Sequence, residues 1–315
     1  MDKIKAFAPA TIANIGPGFD VLGLAITGLG DYVEAKKSAE PGIRITEITG
    51  LKNGIPLNAD KNTAGIASRE VLKLLNVVGE GIELKLRKNL PSGSGLGSSA
   101  ASAAAAAYAV NALFDGKLTK KDLIMPATIA EESVSGGFFA NNTAPSLLGG
   151  ATLTRCRQPL DAVKLGTMEG LVVVVAAPEY RLLTKTSREA LPKTVPMESF
   201  VNNMANACLM VAAFNNNDVE LLGRCVGNDE IIEPARAGLI PGFYDVKKSA
   251  LEAGAYGCSI SGAGPSVFAL TNRADAGRSI GKAMKEAFEK NGLASDVYVS
   301  EVDNAGARRA DGEIP

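Results

Sequence analysis

The sequence predicts an α+β protein of two domains. Three observations carry this. The chain has 315 residues, long enough for two hydrophobic cores. Stretches with a period of two and stretches with a helical period follow one another irregularly, which fits α+β better than a doubly wound sheet. Finally, residues 90–112, LPSGSGLGSSAASAAAAAYAVNA, join a glycine-serine loop to an alanine-rich segment, and the rest of the chain is arranged around them.

Taken in order, residues 4–8 read as a first strand stopped by Pro9. A loop over 11–20 follows, then strands over 21–26, 31–35 and 43–49. Residues 53–61 form a loop, and Asn62 caps a helix over 63–75 with Ala64, Ala67, Val71 and Leu74 as its apolar stripe. In 82–87, Ile82, Leu84 and Leu86 alternate with Glu83, Lys85 and Arg87, the pattern of a strand with one buried face. Residues 100–109 are nearly all alanine, the best helix former, with Ser98 or Ser99 as N-cap. Thr119 and Asp122 open a helix over 119–132 in a spacing close to a capping box. Residues 135–150 read as loop and 151–156 as strand. A linker around 157–170 divides the chain into domains 1–165 and 166–315. The second holds a buried strand at 170–177, helices at 197–215, 218–228 and 243–253, and a glycine-rich turn at 259–266 entering a strand at 267–270. A helix over 275–290, a strand over 294–302 and a fraying polar end at 305–315 complete it.

The bulk numbers exclude several classes. Net charge is −1, so no broad basic face is implied for nucleic acid or membrane. The four cysteines lie far apart without a CxxC pair, which argues against zinc and disulfides and suits a cytoplasmic setting. The start, MDKIKAFAPA, lacks a signal-peptide core. There is no histidine, so Ser-His-Asp and Cys-His catalysis are excluded. Catalysis must use carboxylates, lysine, hydroxyls, or positioning around a metal-bound phosphate.

The loop Pro91-Ser92-Gly93-Ser94-Gly95-Leu96-Gly97-Ser98-Ser99 suits that last option. Glycines let a ligand approach the main chain, and a helix start offers unpaired N–H groups and partial positive charge to phosphate. No Asp or Glu stands in the first turns to repel an anion. Read alone, the run is equally a tight turn before a closely packed helix. It is neither a P-loop, since no Lys precedes the paired serines, nor a dinucleotide fingerprint.

Three motifs together narrow the reading. PATIANIGPGFDVLG at 9–23, PSGSGLGSSAA at 91–101 and GCSISGAGPSVF at 257–268 resemble, in order and separation, the three motifs of the GHMP kinases. The resemblance spans about residues 9 to 270. It implies a two-domain GHMP kinase fold with a ribosomal protein S5 domain 2-like N-terminal domain and a ferredoxin-like C-terminal domain. It also implies ATP as co-substrate, with Mg2+, bound by Pro91, Ser92, Gly93, Ser94, Gly95, Leu96, Gly97, Ser98, Ser99, Ala100 and Ala101, and with Asn62 beside the adenine.

The first motif and the run NTAPSLLGG at 142–150 are most similar to the branch of the family that phosphorylates the side-chain hydroxyl of L-homoserine. By that resemblance Glu131 and Ser98 hold the metal, with Glu132 as competitor for Glu131. Asp20 takes the substrate ammonium, Arg188 and Arg236 its carboxylate, and Asn14 and Asn142 orient the hydroxyl. The resemblance implies a small-molecule substrate and allows a homodimer. One departure stands out. SGGFFANNTAP at 135–145 puts Phe139 and Asn141 where that branch has a His and an Asp, so no carboxylate is expected there as general base. Another small-alcohol kinase of the family and a nucleotide-binding regulator remain alternatives.

Overall fold

The computed structural model describes residues 2–51, 54–156 and 159–310. Parts of the expected 53–61 loop, the linker and the chain end (53, 157–158 and 311–315) lie outside the described residues.

The first unit is built from β1 (Lys3–Ala13), β2 (Leu22–Ser38), β3 (Gly42–Gly50), α1 (Thr63–Leu74), β4 (Gly81–Lys88), α2 (Ser98–Leu113), α3 (Ile124–Ser135), α4 (Thr143–Leu148), β5 (Ala151–Cys156) and β6 (Leu160–Lys164). Its sheet runs β3-β4-β2-β1, with β5 paired to β2 and β6 to β5. Only the β3–β4 pair is parallel among these. The second unit holds β7 (Val172–Pro178), α5 (Thr184–Glu189), α6 (Met197–Asn216), α7 (Val219–Val226), α8 (Ile232–Ala237), α9 (Phe243–Glu252), β8 (Gly257–Ile260), β9 (Val267–Thr271), α10 (Ala274–Lys290) and β10 (Ser295–Glu301). Its antiparallel sheet runs β10-β7-β9-β8, a β-α-β-β-α-β arrangement. The short β11 (Arg308–Arg309) then returns to pair with β1.

Alanine explains how α2 sits. Ala100, Ala101 and Ala103 to Ala107 are fully buried. Side chains this small let the helix lie close against β1 and β2 on one side and α1 and α3 on the other. In the second unit, β7 is buried on both faces, as its run of valines requires. Val173 and Val175 pack with Met210, Phe214 and Leu222 of α6 and α7, and with Ile12, Leu24 and Leu96 of the first unit. Val172 and Val174 pack with Phe243, Val246, Ile280 and Phe288 of α9 and α10. One core therefore bridges the two sheets.

Several expectations are corrected here. Pro9 does not stop β1, which continues to Ala13 past a register shift between Pro9 and Thr11; a bulge is where a sheet tolerates proline. The strands expected at 21–26 and 31–35 are one 17-residue strand, β2. Neither Ser98 nor Ser99 caps α2: the cap position is Gly97, at φ 67°, and no side chain fills it. The helix expected from Thr119 starts at Ile124, although the Thr119–Asp122 reciprocal bonds do form in the preceding turn. The expected loop over 135–150 contains α4, and the expected linker contains β6, paired with β5. Part of the expected fraying end is held as β11. By contrast, Asn62 caps α1 as read, its Oδ1 accepting from the Ala64 amide at 3.0 Å.

Candidate active site

A cavity of about 520 Å3 opens between the two units, walled by the loop before α2, the segment 181–188, the turn at 262–264 and the 135–142 loop. Its floor is the start of α2. Ser92, Gly93, Ser94, Gly95, Gly97, Ser98 and Ser99 line it, while Pro91, Leu96, Ala100 and Ala101 do not; the last three are buried in the core. Gly97 has no substitute here. Its φ of 67° is left-handed, and a Cβ would stand 2.1 Å from Thr11 Oγ1 and 2.9 Å from Asn142 Oδ1.

The second unit braces this loop. Leu182 N–H donates to Gly93 O (3.3 Å), Ser266 N–H to Ser94 O (3.0 Å) and Ser261 Oγ to Gly95 O (2.7 Å). The third glycine-rich turn thus holds the loop's shape from behind. From beneath, Lys88 does the same. It is 2% exposed, pairs with the fully buried Asp31, and donates to Ser98 O (2.8 Å) and Ser102 Oγ (2.7 Å). Asp31 in turn accepts from the amides of Asn89 and Leu90 at 3.0 and 3.3 Å. Sequence reading missed this pair. Its signal was parity: Lys88 continues the inward series Ile82, Leu84, Leu86.

Glu131 lines the cavity, and Glu132 is exposed and does not. Ser99 Oγ donates to Glu131 Oε1 at 2.9 Å, while Oε2 is buried without a partner. Burial pushes the Glu131 carboxyl above its usual range, against the opposing hydrogen bond from Ser99. An orphaned carboxylate oxygen beside the Ser99 hydroxyl is a hard-oxygen donor set that fits Mg2+, which takes one or two protein oxygens and completes its shell with phosphate and water. Ser98 also lines the cavity, but its Oγ donates to Leu90 O at 3.1 Å; it is Ser99 that reaches Glu131.

The remaining expected residues meet at the inner end. Arg188 donates to both oxygens of Asp20, each at 3.1 Å. Burial raises the Asp20 carboxyl, opposed by that pairing with Arg188. Arg236 is 2% exposed and donates to Ser187 O (3.1 Å) and Gly262 O (2.9 Å). Burial, then the charge of Arg188, lower its guanidinium to about 10, still protonated at neutral pH. Asn14 is a hub: Oδ1 accepts from Asn141 Nδ2 (3.0 Å) and the Asp20 amide (3.1 Å), and Nδ2 donates to Gly262 O (2.9 Å). Asn142 Oδ1 accepts from Thr11 Oγ1 at 2.7 Å, which leaves its Nδ2 without a partner among the described residues. Asn62 lines the far end, with Nδ2 donating to Pro56 O at 2.8 Å. Arg181 and Lys185 also line the cavity.

A glycine–serine loop leading into an uncapped helix start, a carboxylate with an unpartnered oxygen and a paired acid–arginine cluster lining one cleft are the parts of a small-molecule kinase. The chain matches the GHMP kinases N terminal domain over residues 62–150 and the GHMP kinases C terminal region over 210–290. It belongs to the GHMP kinase family. Within that family, homoserine kinases are among its most similar relatives. It is 46% identical to homoserine kinase from Arabidopsis thaliana, over 97% of this chain and 84% of the plant protein. It is 41% identical to homoserine kinase from Chlorobium phaeobacteroides (strain BS1), over 98% and 99%. The fold superposes on a crystal structure of homoserine kinase from Cytophaga hutchinsonii with a TM-score of 0.94, at 46% identity and 98% coverage of each chain.

Proposed function

We propose that this chain is an ATP-dependent homoserine kinase. It moves the γ-phosphoryl group of ATP to the side-chain hydroxyl of L-homoserine, giving O-phospho-L-homoserine and ADP, a step of threonine biosynthesis. The observation that carries the reading is the shared cavity. One end offers the uncapped start of α2 and Glu131, the other Asp20, Arg188 and Arg236, which match the opposite charges of a zwitterionic amino acid.

Amides of the loop before α2 bind the polyphosphate through the partial positive charge of the helix start. Mg2+, when bound by Glu131 with a serine hydroxyl, neutralises charge on the transferring group. Asp20 binds the substrate ammonium, and Arg188 and Arg236 the carboxylate. Asn142 Nδ2 donates to the hydroxyl oxygen and turns it toward the γ-phosphorus, while Asn14, whose Oδ1 accepts from the Asp20 amide, fixes Asp20. The hydroxyl oxygen forms the new bond to phosphorus, the bond to the bridging oxygen of ADP breaks, and the hydroxyl proton passes to the transferred phosphate. Asn141 cannot act as a base, and positioning supplies the rate. In this reading residues 1–165 form the nucleotide-binding unit and 166–315 the covering unit. The free thiols suit the cytoplasm.

ADP release with Mg·ATP is measured against L-homoserine, mevalonate, shikimate and no acceptor. Turnover that depends on homoserine supports the reading. Turnover with another alcohol alone, favoured by the Phe139 substitution, replaces the substrate. Nucleotide binding without turnover replaces the activity.

A further inference from the structure

The guanidinium of Arg188 is held by more than its carboxylate partner. The ring centroid of Phe139 lies 4.1 Å from its central carbon and that of Phe19 5.5 Å away. Phe19 also faces Arg236 at 5.0 Å. We propose that Phe139 is a positioning residue that holds Arg188 for the substrate carboxylate and so makes the enzyme select acceptors carrying that group. The proposal rests on the homoserine reading above.

Three features argue for it. The terminal nitrogens of Arg188 both point at Asp20, while its Nε is buried with no hydrogen-bond partner. Hydrogen bonds therefore hold the edge of the group that faces Asp20, and the Phe139 ring packs against its face and supports the side carrying the unpartnered Nε. Next, the pose of Phe139 is built into the chain: a Cβ on Gly137 would stand 2.0 Å from Phe139 Cε2. The ring lies where only a glycine two residues earlier admits it. Last, Arg188 and Arg236 put two cations on the cavity wall beside one lining acid, Asp20; Asp229, which also acts on Arg236, does not line the cavity. The negative faces of the rings offset that imbalance without adding a carboxylate that would repel the substrate's own.

The test compares Phe139→Leu, Phe139→Ala and Phe139→Tyr for three constants: KM for L-homoserine, KM for ATP, and the constant for 3-amino-1-propanol, which keeps the amine and alcohol and lacks the carboxylate. That last constant is read as a KM or as a competitive inhibition constant. Phe139→Leu and Phe139→Ala are expected to raise the homoserine KM by about five- to thirtyfold, with kcat within about threefold. The ATP KM and the aminopropanol constant stay within about twofold, and Phe139→Tyr stays near the unaltered protein. Leucine fills the volume without a ring face, so a normal homoserine KM in Phe139→Leu overturns the proposal. Equal losses for homoserine and aminopropanol, or a matching rise in ATP KM, overturn it too. Absence of homoserine turnover in the unaltered protein overturns the reading beneath it and is measured first.

Discussion

Asp20 and Arg188, 168 residues apart in sequence, meet through two hydrogen bonds of 3.1 Å each. The pair joins the loop after β1 to α5 of the second unit and closes the inner end of the cleft. It also sets the problem of binding: a zwitterion must exchange one internal ion pair for two intermolecular ones. In the proposed binding mode Arg236, which lines the same cavity, supplies the second cation that makes the exchange favourable. Arg236→Met is therefore expected to raise the homoserine KM by roughly tenfold to a hundredfold, the scale of a lost charged hydrogen bond, and to leave ADP affinity within about twofold. Steady-state kinetics and ADP titration check this; equal damage to both ligands contradicts the carboxylate assignment.

Glu131 sets a pH dependence with a defined sign. Burial raises its carboxyl, so it keeps its proton to higher pH than an ordinary glutamate. With Glu131 as the proposed metal ligand, proton and Mg2+ compete for the same oxygens. The Mg2+ concentration for half-maximal rate therefore rises as pH falls through the raised value. Glu131→Gln is expected to lower kcat most at limiting Mg2+, by about tenfold or more, and to flatten that acid-side dependence. A wild-type Mg2+ profile in the variant places the metal elsewhere.

Gly97→Ala tests the cradle geometry. The left-handed φ costs a residue with a Cβ about 1 kcal/mol, and the new methyl meets Thr11 Oγ1 and Asn142 Oδ1. Activity is expected to fall by about a hundredfold or more, since misplacement of about 1 Å costs that much. Stability changes less, by about 1–3 kcal/mol, read by denaturant unfolding.

How much of this was legible in the sequence differs from element to element. The Asn62 cap was, from local chemistry alone, and so was the glycine–serine loop entering a helix; the residues at 20, 188 and 236, which line one cavity, were marked by the resemblance alone, because isolated charges carry no local signature. The cap of α2 was not: serine is the better capping residue, but the backbone turns left-handed at Gly97, and that demand outweighs side-chain preference. Helix α4 was hidden because Pro145 sits near its start, where proline is tolerated, inside a run that otherwise reads as turn. Strand β6 was hidden because its short, half-polar stretch derives its order from pairing with β5 rather than from its own pattern. The Asn141–Asn14 and Phe139–Arg188 contacts join segments far apart in the chain, which no local period reveals.

The buried Lys88–Asp31 pair gives a stability prediction. Lys88→Met leaves Asp31 charged and fully buried with only amides and Ser102 for partners. The expected loss is about 3–5 kcal/mol in urea unfolding. Adding Asp31→Asn recovers part of it, because the two residues act as a unit. A single variant as stable as the parent would show that the pair does not anchor the loop.

In the proposed mechanism, main-chain amides at the start of α2 hold the ATP phosphates and aim them at an alcohol seated between Asn142 and Arg188. A crystal structure with Mg2+, a non-hydrolysable ATP analogue and L-homoserine tests it most directly. The terminal phosphates are expected against the amides of the loop before α2, the metal on Glu131, and the homoserine hydroxyl in line with the γ-phosphorus. Phosphates bound away from that loop, or homoserine with its carboxylate turned from Arg188 and Arg236, would contradict it.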